Sequence, residues 1–337
     1  RDLHSFPTRR SSDLEPDSID EFENSIDHVV KEKFTAVQPS VQWKFNEVAW
    51  HYIRDGMGES KQKETEEIVF EKVYPLYGAI DVRNSTIERN AALRADLQVQ
   101  FTTLLEVLNE LKKKTGFGLL DEKIFLSRKW LEKINSSSGF NQEVRLNDFL
   151  ENNISPFLSQ FKEGNSAAAS IIDKYLDSIH PETGIATENR RQLETSMNTV
   201  ITSVNKYMEM MKGEIQQAYP SYFEKFRTDG VEYDIYIGQS IAPDKPFSDI
   251  YLKNLRLLQL TSMAAIAKYS NALLPQLTKP VETTQLIFIH SQAIDIKFRR
   301  DEKRFDVEGA YNIRYHIVKK RIDKVSIKNK KIGRAHV

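Results

Sequence analysis

The sequence predicts a mainly α fold: a multi-helix bundle followed by a small α+β unit of about three strands. Three observations carry that prediction. From about residue 17 to 226, apolar residues recur at spacings of three and four; past Arg227 they alternate one in, one out. Only 13 Gly and 11 Pro punctuate 337 residues, few for an all-β chain rich in turns.

The first helix carries Phe22, Ile26, Val29, Val30 and Phe34 and ends near Pro39. A second carries Val41, Phe45, Val48, Ala49 and Tyr52, and the Gly56-Met57-Gly58 turn stops it. A short acidic helix is expected over residues 64–73, then a compact non-periodic segment, Tyr74-Pro75-Leu76-Tyr77-Gly78-Ala79-Ile80-Asp81-Val82-Arg83-Asn84. Ser85 with Glu88 reads as a capping box for a long helix over residues 86–114. Leu97, Phe101, Leu104, Leu108 and Leu111 give it heptad spacing. Lys112, Lys113 and Lys114 suit its C-terminal dipole, and Gly116 ends it.

Shorter helices are expected over residues 122–134, 146–161 and 167–179, and a second long one over 187–218. The latter carries Leu193, Met197, Val200, Val204, Tyr207, Met211 and Ile215, the pattern of a bundle core. Arg227-Thr228-Asp229-Gly230 reads as a turn. Val231, Tyr233, Ile235 and Ile237 then alternate as a half-buried strand, and a helix over 248–274 follows. Residues 286–290 and 294–298 read as two strands joined by a short turn. Residues 309–327 fit a strand by their alternation and a helix by their length and Lys319-Lys320-Arg321 run.

Charge and composition narrow the function classes. Formal neutrality, 48 Lys+Arg against 48 Asp+Glu, leaves no whole-chain field to draw nucleic acid or an anionic membrane. The absence of cysteine excludes disulfides, thiol catalysis and Cys-type metal sites. No apolar run of about 18 residues exists to span a bilayer. There is no phosphate-binding glycine loop, no HExxH and no nucleophile elbow, so no catalytic residue, cofactor or metal is assigned.

Two constellations remain as candidate binding sites. Tyr74, Tyr77, Asp81 and Arg83 interrupt a regular helical array; tyrosyl hydroxyls and an Asp/Arg pair suit a polar ligand or a partner's backbone. Filling a join between helices is the plainer use of the same residues. His290, Asp295, Arg299, Asp301 and Arg304 belong to a polar run at a strand end, where clustered carboxylates and arginines suit an anion or metal, or else a solvated loop. Residues 297–331 hold 13 Lys+Arg against 5 Asp+Glu, but no nucleic-acid recognition motif accompanies them.

Both ends look foreign. Residues 4–14 and 332–337 resemble translations of the two short-read sequencing adapters, which sets 1–14 and 332–337 apart as non-native. A transit peptide is the rival for the first, with Asp2 and Asp13 against it. Between Glu15 and Lys331 there remain 44 basic and 46 acidic residues.

Residues 74–90 (YPLYGAIDVRNSTIERN), 219–240 (YPSYFEKFRTDGVEYDIYIGQS) and 299–324 (RRDEKRFDVEGAYNIRYHIVKKRIDK) resemble the C-terminal half of large uncharacterised bacterial GAF-domain-containing proteins. The resemblance implies a cytoplasmic signalling context with the GAF domain upstream. It implies linker helices over 15–73, a bundle domain over 74–226 and an α+β unit over 227–331, with no established reaction. The expected function is a non-catalytic region that relays or scaffolds through its long helices, pairing with the upstream GAF domain, a protein partner or a second copy. The rivals are an enzyme with a carboxylate/arginine site in the α+β unit and a nucleic-acid contact through the basic segment.

Overall fold

Two helices open the described chain of the computed structural model, whose described residues are 16–34, 37–56, 66–136, 143–307, 326–327 and 330–331. α1 (Pro16–Lys33) and α2 (Pro39–Gly56) bury Ile26, Val30, Val41, Phe45, Val48 and Ala49, with Phe34 just past α1. This is the three-and-four stripe the sequence showed. Pro39 starts α2, where a missing N–H costs nothing.

The next element departs from expectation. In place of the helix over 64–73 and the irregular segment after it, one 14-residue strand, β1 (Val69–Val82), runs through both. The reason is a bulge. Lys72 has φ 52°, and the ladder register shifts between Phe70 and Val73. Phe70, Val73 and Tyr77 are consequently all buried at spacings of three and four, which counterfeits a helix. Pro75 is tolerated because pairing on that side with the strand over Ile294–Arg299 stops at Val73.

α3 (Ser85–Thr115) buries Leu97, Phe101, Leu104, Leu108 and Leu111 as expected, and Gly116 caps it at φ 65° with its N–H on the Lys112 carbonyl. Asn84, and not Ser85, occupies the N-cap, in the left-handed region, and Glu88 pairs with Lys279 at 3.4 Å. α4 (Leu119–Ser136) follows. The single helix expected over 146–161 is α5 (Glu143–Asp148), a π turn (Phe149–Ile154) and α6 (Ser155–Gly164). Pro156 has no N–H to give, and the π turn absorbs the lost bond. α7 (Ser166–Ser178) completes a core in which α3 to α7 enclose Phe101, Leu104, Leu120, Phe149, Leu158 and Ile172.

α8 (Glu188–Ala218) buries Leu193, Met197, Val200, Val204, Met208, Met211 and Ile215, with Tyr207 only half buried. The spacing is therefore wider than the roughly 3.5 residues per turn of a left-handed coiled coil. β2 (Tyr222–Arg227) and β3 (Gly230–Ile237) form a hairpin across the expected turn at Thr228-Asp229; β2 had been hidden inside the helical stretch. α9 (Asp249–Leu273) matches its expected range. β4 (Thr283–Ile289), β5 (Ile294–Arg299) and β6 (Arg304–Val307) follow. β4 and β5 each pair with β1 instead of forming a hairpin together.

The fold is thus mainly α with an α+β unit, whose sheet is larger than the three strands expected. It has six strands, β2-β3-β1-β5-β6 with β4 also on β1. A two-residue ladder joins β7 (Ser326–Ile327) and β8 (Lys330–Lys331). The chain makes two compact units. One comprises the described residues to Asp81, Asn205–Ala267 and those from Gln285 to Val307; the other comprises Val82–Val204 and Lys268–Thr284. They interleave along the sequence, unlike the contiguous segments 15–73, 74–226 and 227–331. The adapter-like ends and most of residues 309–327 lie outside the described residues.

Candidate ligand-binding cleft

The tyrosines of the first constellation are structural. Tyr77 is buried beside Tyr236, ring centroids 6.0 Å apart, and burial holds its hydroxyl far above its usual range. Its carbonyl accepts from Gln259 Nε2 at 3.0 Å, and the same amide donates to the Tyr233 hydroxyl at 3.0 Å. Gly78 makes room for that approach: a Cβ there would stand 2.3 Å from the Tyr233 oxygen. Tyr74 stacks on Phe247, which in turn meets Tyr219 edge-on. Asp81 lies opposite Gly230 at the end of the β1–β3 ladder. Arg83, just past the strand, ion-pairs with Glu282 and reaches Thr284 Oγ1 at 3.4 Å.

The second constellation divides. His290 Nδ1 meets the Gln292 carbonyl at 2.8 Å while its own carbonyl accepts from Arg256. Asp295 Oδ1 accepts from the Lys72 backbone N–H at 2.8 Å and so braces the bulge of β1. Arg304 Nε donates to Glu302 at 2.5 Å, and its guanidinium lies 5.6 Å from the Phe226 ring. Arg299 and Asp301, by contrast, line a cleft of ≈ 290 Å³.

That cleft is built where β5 ends against the start of β1. Phe298 N–H donates to the Ile68 carbonyl at 2.9 Å, which ties the strand ends together. Phe34, Ile68 and Phe298 supply buried apolar walls. Lys297, Arg299 and Arg300 supply charge. Lys297 Nζ donates to Glu67 at 2.5 Å, and Arg300 donates to the Glu66 carbonyl at 3.2 Å with its plane 5.9 Å from the Phe34 ring. Lys297, through a hydrogen bond and its charge, then Arg300 and Arg299, hold the Glu67 carboxyl below the usual range. Three cations, Lys297, Arg299 and Arg300, thus line the cleft with two carboxylates, Glu67 and Asp301, beside an apolar wall.

Sequence reasoning missed Glu67, because the expected helix hid its strand neighbour; Lys297 and Arg300 lie in the charged run it noted but were not among its candidate residues. It also missed Glu224 on β2, half buried and accepting from the Tyr222 hydroxyl at 3.1 Å. Burial, then Asp234, push its carboxyl up to about 7 against the hydrogen bond from Tyr222 and the charge of Arg304. Among the described residues no three His, Asp or Glu side chains group as metal ligands do, and no helix is long and apolar enough to cross a membrane.

No family model, curated protein or solved structure matches the chain.

Proposed function

We propose that the chain is a non-catalytic regulatory region and that the cleft at the end of β5 takes the oxyanion of a ligand, a carboxylate or phosphate. The observation that supports this is the grouping of Lys297, Arg299 and Arg300 along one cleft, with Lys297 paired to Glu67. The Glu67 carboxylate marks where an anion is favoured, and charge-assisted bonds from guanidinium are the strongest available for such a group. Phe34 and Phe298 offer an apolar surface to the rest of the ligand. The enzyme alternative has less to rest on, because Asp295 is committed to the Lys72 N–H and Arg304 to Glu302. In the cytoplasmic signalling context implied by the resemblance to GAF-containing proteins, α3 and α8 are the long helices through which occupancy would be relayed.

Titration calorimetry of the whole chain with inorganic phosphate and with citrate tests the proposal. We expect binding that weakens with salt, is lost in the Arg299→Ala/Arg300→Ala double variant, and tightens several-fold in Glu67→Gln, which removes the internal competitor. Absence of binding in both wild type and Glu67→Gln at millimolar anion would sink it.

A further inference from the structure

The turn between β5 and β6 treats its two pairs of opposite charges differently. Glu302 and Arg304, two residues apart, are bonded to each other. Arg299 and Asp301, also two residues apart, are not. Among the described residues, neither side chain makes an ion pair or hydrogen bond, with the other or with any neighbour. Both nevertheless line the ≈ 290 Å³ cleft, Arg299 half buried and Asp301 exposed. The reversal is tight: Arg299 lies opposite Arg304 in the ladder and Lys303 turns the chain at φ 54°. A short hairpin loop of this kind keeps Asp301 in the same cleft as Arg299.

The other charges of the cleft are engaged: Lys297 donates to Glu67, and Arg300 to the Glu66 carbonyl. Arg299 and Asp301 therefore stand as two opposite charges held in one small space without touching. A simple oxyanion would suit Arg299 but meet repulsion from Asp301. A simple amine would suit Asp301 but meet three cations. A ligand that carries both signs satisfies both groups through charge-assisted bonds, and each analogue with one sign leaves a repulsive element in place. Phe34, Ile68 and Phe298 add the buried apolar wall.

We propose that the ligand of this cleft is a free α-amino acid with an apolar side chain. Its carboxylate meets the Arg299 guanidinium, its ammonium meets the Asp301 carboxylate, and its side chain lies against the apolar wall. The assignment rests on the cleft being an oxyanion site and narrows its ligand from any carboxylate or phosphate to a zwitterion. The volume agrees with it: ≈ 290 Å³ lies at the lower limit of small-molecule sites.

Titration calorimetry of the whole chain at neutral pH tests it with L-leucine, with isocaproate, which lacks the amino group, with isoamylamine, which lacks the carboxyl, and with inorganic phosphate. L-Leucine should bind at least about threefold tighter than isocaproate, the increment that a solvated ion pair supplies, and isoamylamine should not bind. Asp301→Asn should bring L-leucine down to the level of isocaproate without weakening isocaproate or phosphate. Arg299→Ala should weaken L-leucine and isocaproate alike. L-Leucine no tighter than isocaproate in wild type, L-leucine failing where phosphate binds, or an Asp301→Asn variant that keeps the preference overturns the zwitterion and leaves the oxyanion site standing. Failure of L-leucine, isocaproate and phosphate together overturns both. Should a variant fail to fold, the wild-type comparison of L-leucine with isocaproate decides.

Discussion

The carboxylate of Asp295, on β5, accepts the backbone N–H of Lys72, the residue that carries β1 through its bulge at φ 52°. A lysine in the left-handed region is strained, and the bond to Asp295 helps hold it there. Asp295→Ala should therefore destabilise the sheet unit by about 1–2 kcal/mol. Lys72→Gly should be neutral or stabilising by up to about 1 kcal/mol, because glycine adopts that φ without strain. Urea unfolding of both variants checks the pair. A stabilised Asp295→Ala would show that the carboxylate serves a ligand and not the fold.

Asp96 is the most committed acid among the described residues. It is fully buried and accepts from the backbone N–H groups of Asn189 and Arg190, from Asn189 Nδ2 and from Arg190 Nε, all at 2.9–3.1 Å. It is the N-terminal cap of α8, supplied from α3. Asp96→Ala should cost on the order of 3 kcal/mol, since it strands orphan helix donors in a buried place. Arg190→Ala should cost less than about 1 kcal/mol, because that side chain is largely solvated. Equal costs in thermal or denaturant melts would mean that the ion pair, and not the cap, carries the stabilisation.

How far these features could be read from the sequence depends on whether burial kept a simple period. α3, α8 and α9 did: their buried residues recur turn by turn, so their ranges were legible within a residue or two. β1 was not, since the Lys72 bulge spaces Phe70, Val73 and Tyr77 like a helix, while Pro75 and Gly78 look like breakers. The candidate cleft was half legible. Arg299 and Asp301 lie in a visibly charged run, but their counterpart Glu67 is 230 residues away from Lys297 along the chain. Glu224 and Asp234 face each other only through the hairpin register, and β2 itself was hidden in a helical stretch.

Gly78 makes a sharper test of the β1 placement than any surface residue. A methyl group at that position would overlap the Tyr233 hydroxyl, at 2.3 Å, in a core where Gln259 bridges strand and helix. Gly78→Ala should destabilise by about 2–3 kcal/mol through overpacking. Adding Tyr233→Phe removes the nearest atom, so the double variant should recover part of that loss and show a coupling of at least about 0.5 kcal/mol. Strict additivity would place Gly78 away from Tyr233 and contradict the strand.

The ion pair between Glu209 of α8 and Lys225 of β2 gives the acid side of the pH profile. The hydrogen bond from Lys225, followed by its charge, holds the Glu209 carboxyl below its ordinary value of 4.5. A depressed native value means that the unfolded chain takes up the proton first as pH falls. The pair's contribution is thus complete above the unfolded value and disappears as pH drops through the native one. Glu209 is mostly solvated, so solvent screening limits that contribution to about 0.5 kcal/mol. Glu209→Gln should accordingly unfold at lower urea than wild type at pH 7, and the two should coincide by pH 3. The sign opposes that of Glu224, whose native value lies above the unfolded one, so Glu224→Gln should match wild type in strong acid and become the more stable of the two as pH rises from 4.5 to about 7. If both variants were shifted from wild type in the same sense at neutral pH, one of the two carboxyl environments would be misassigned.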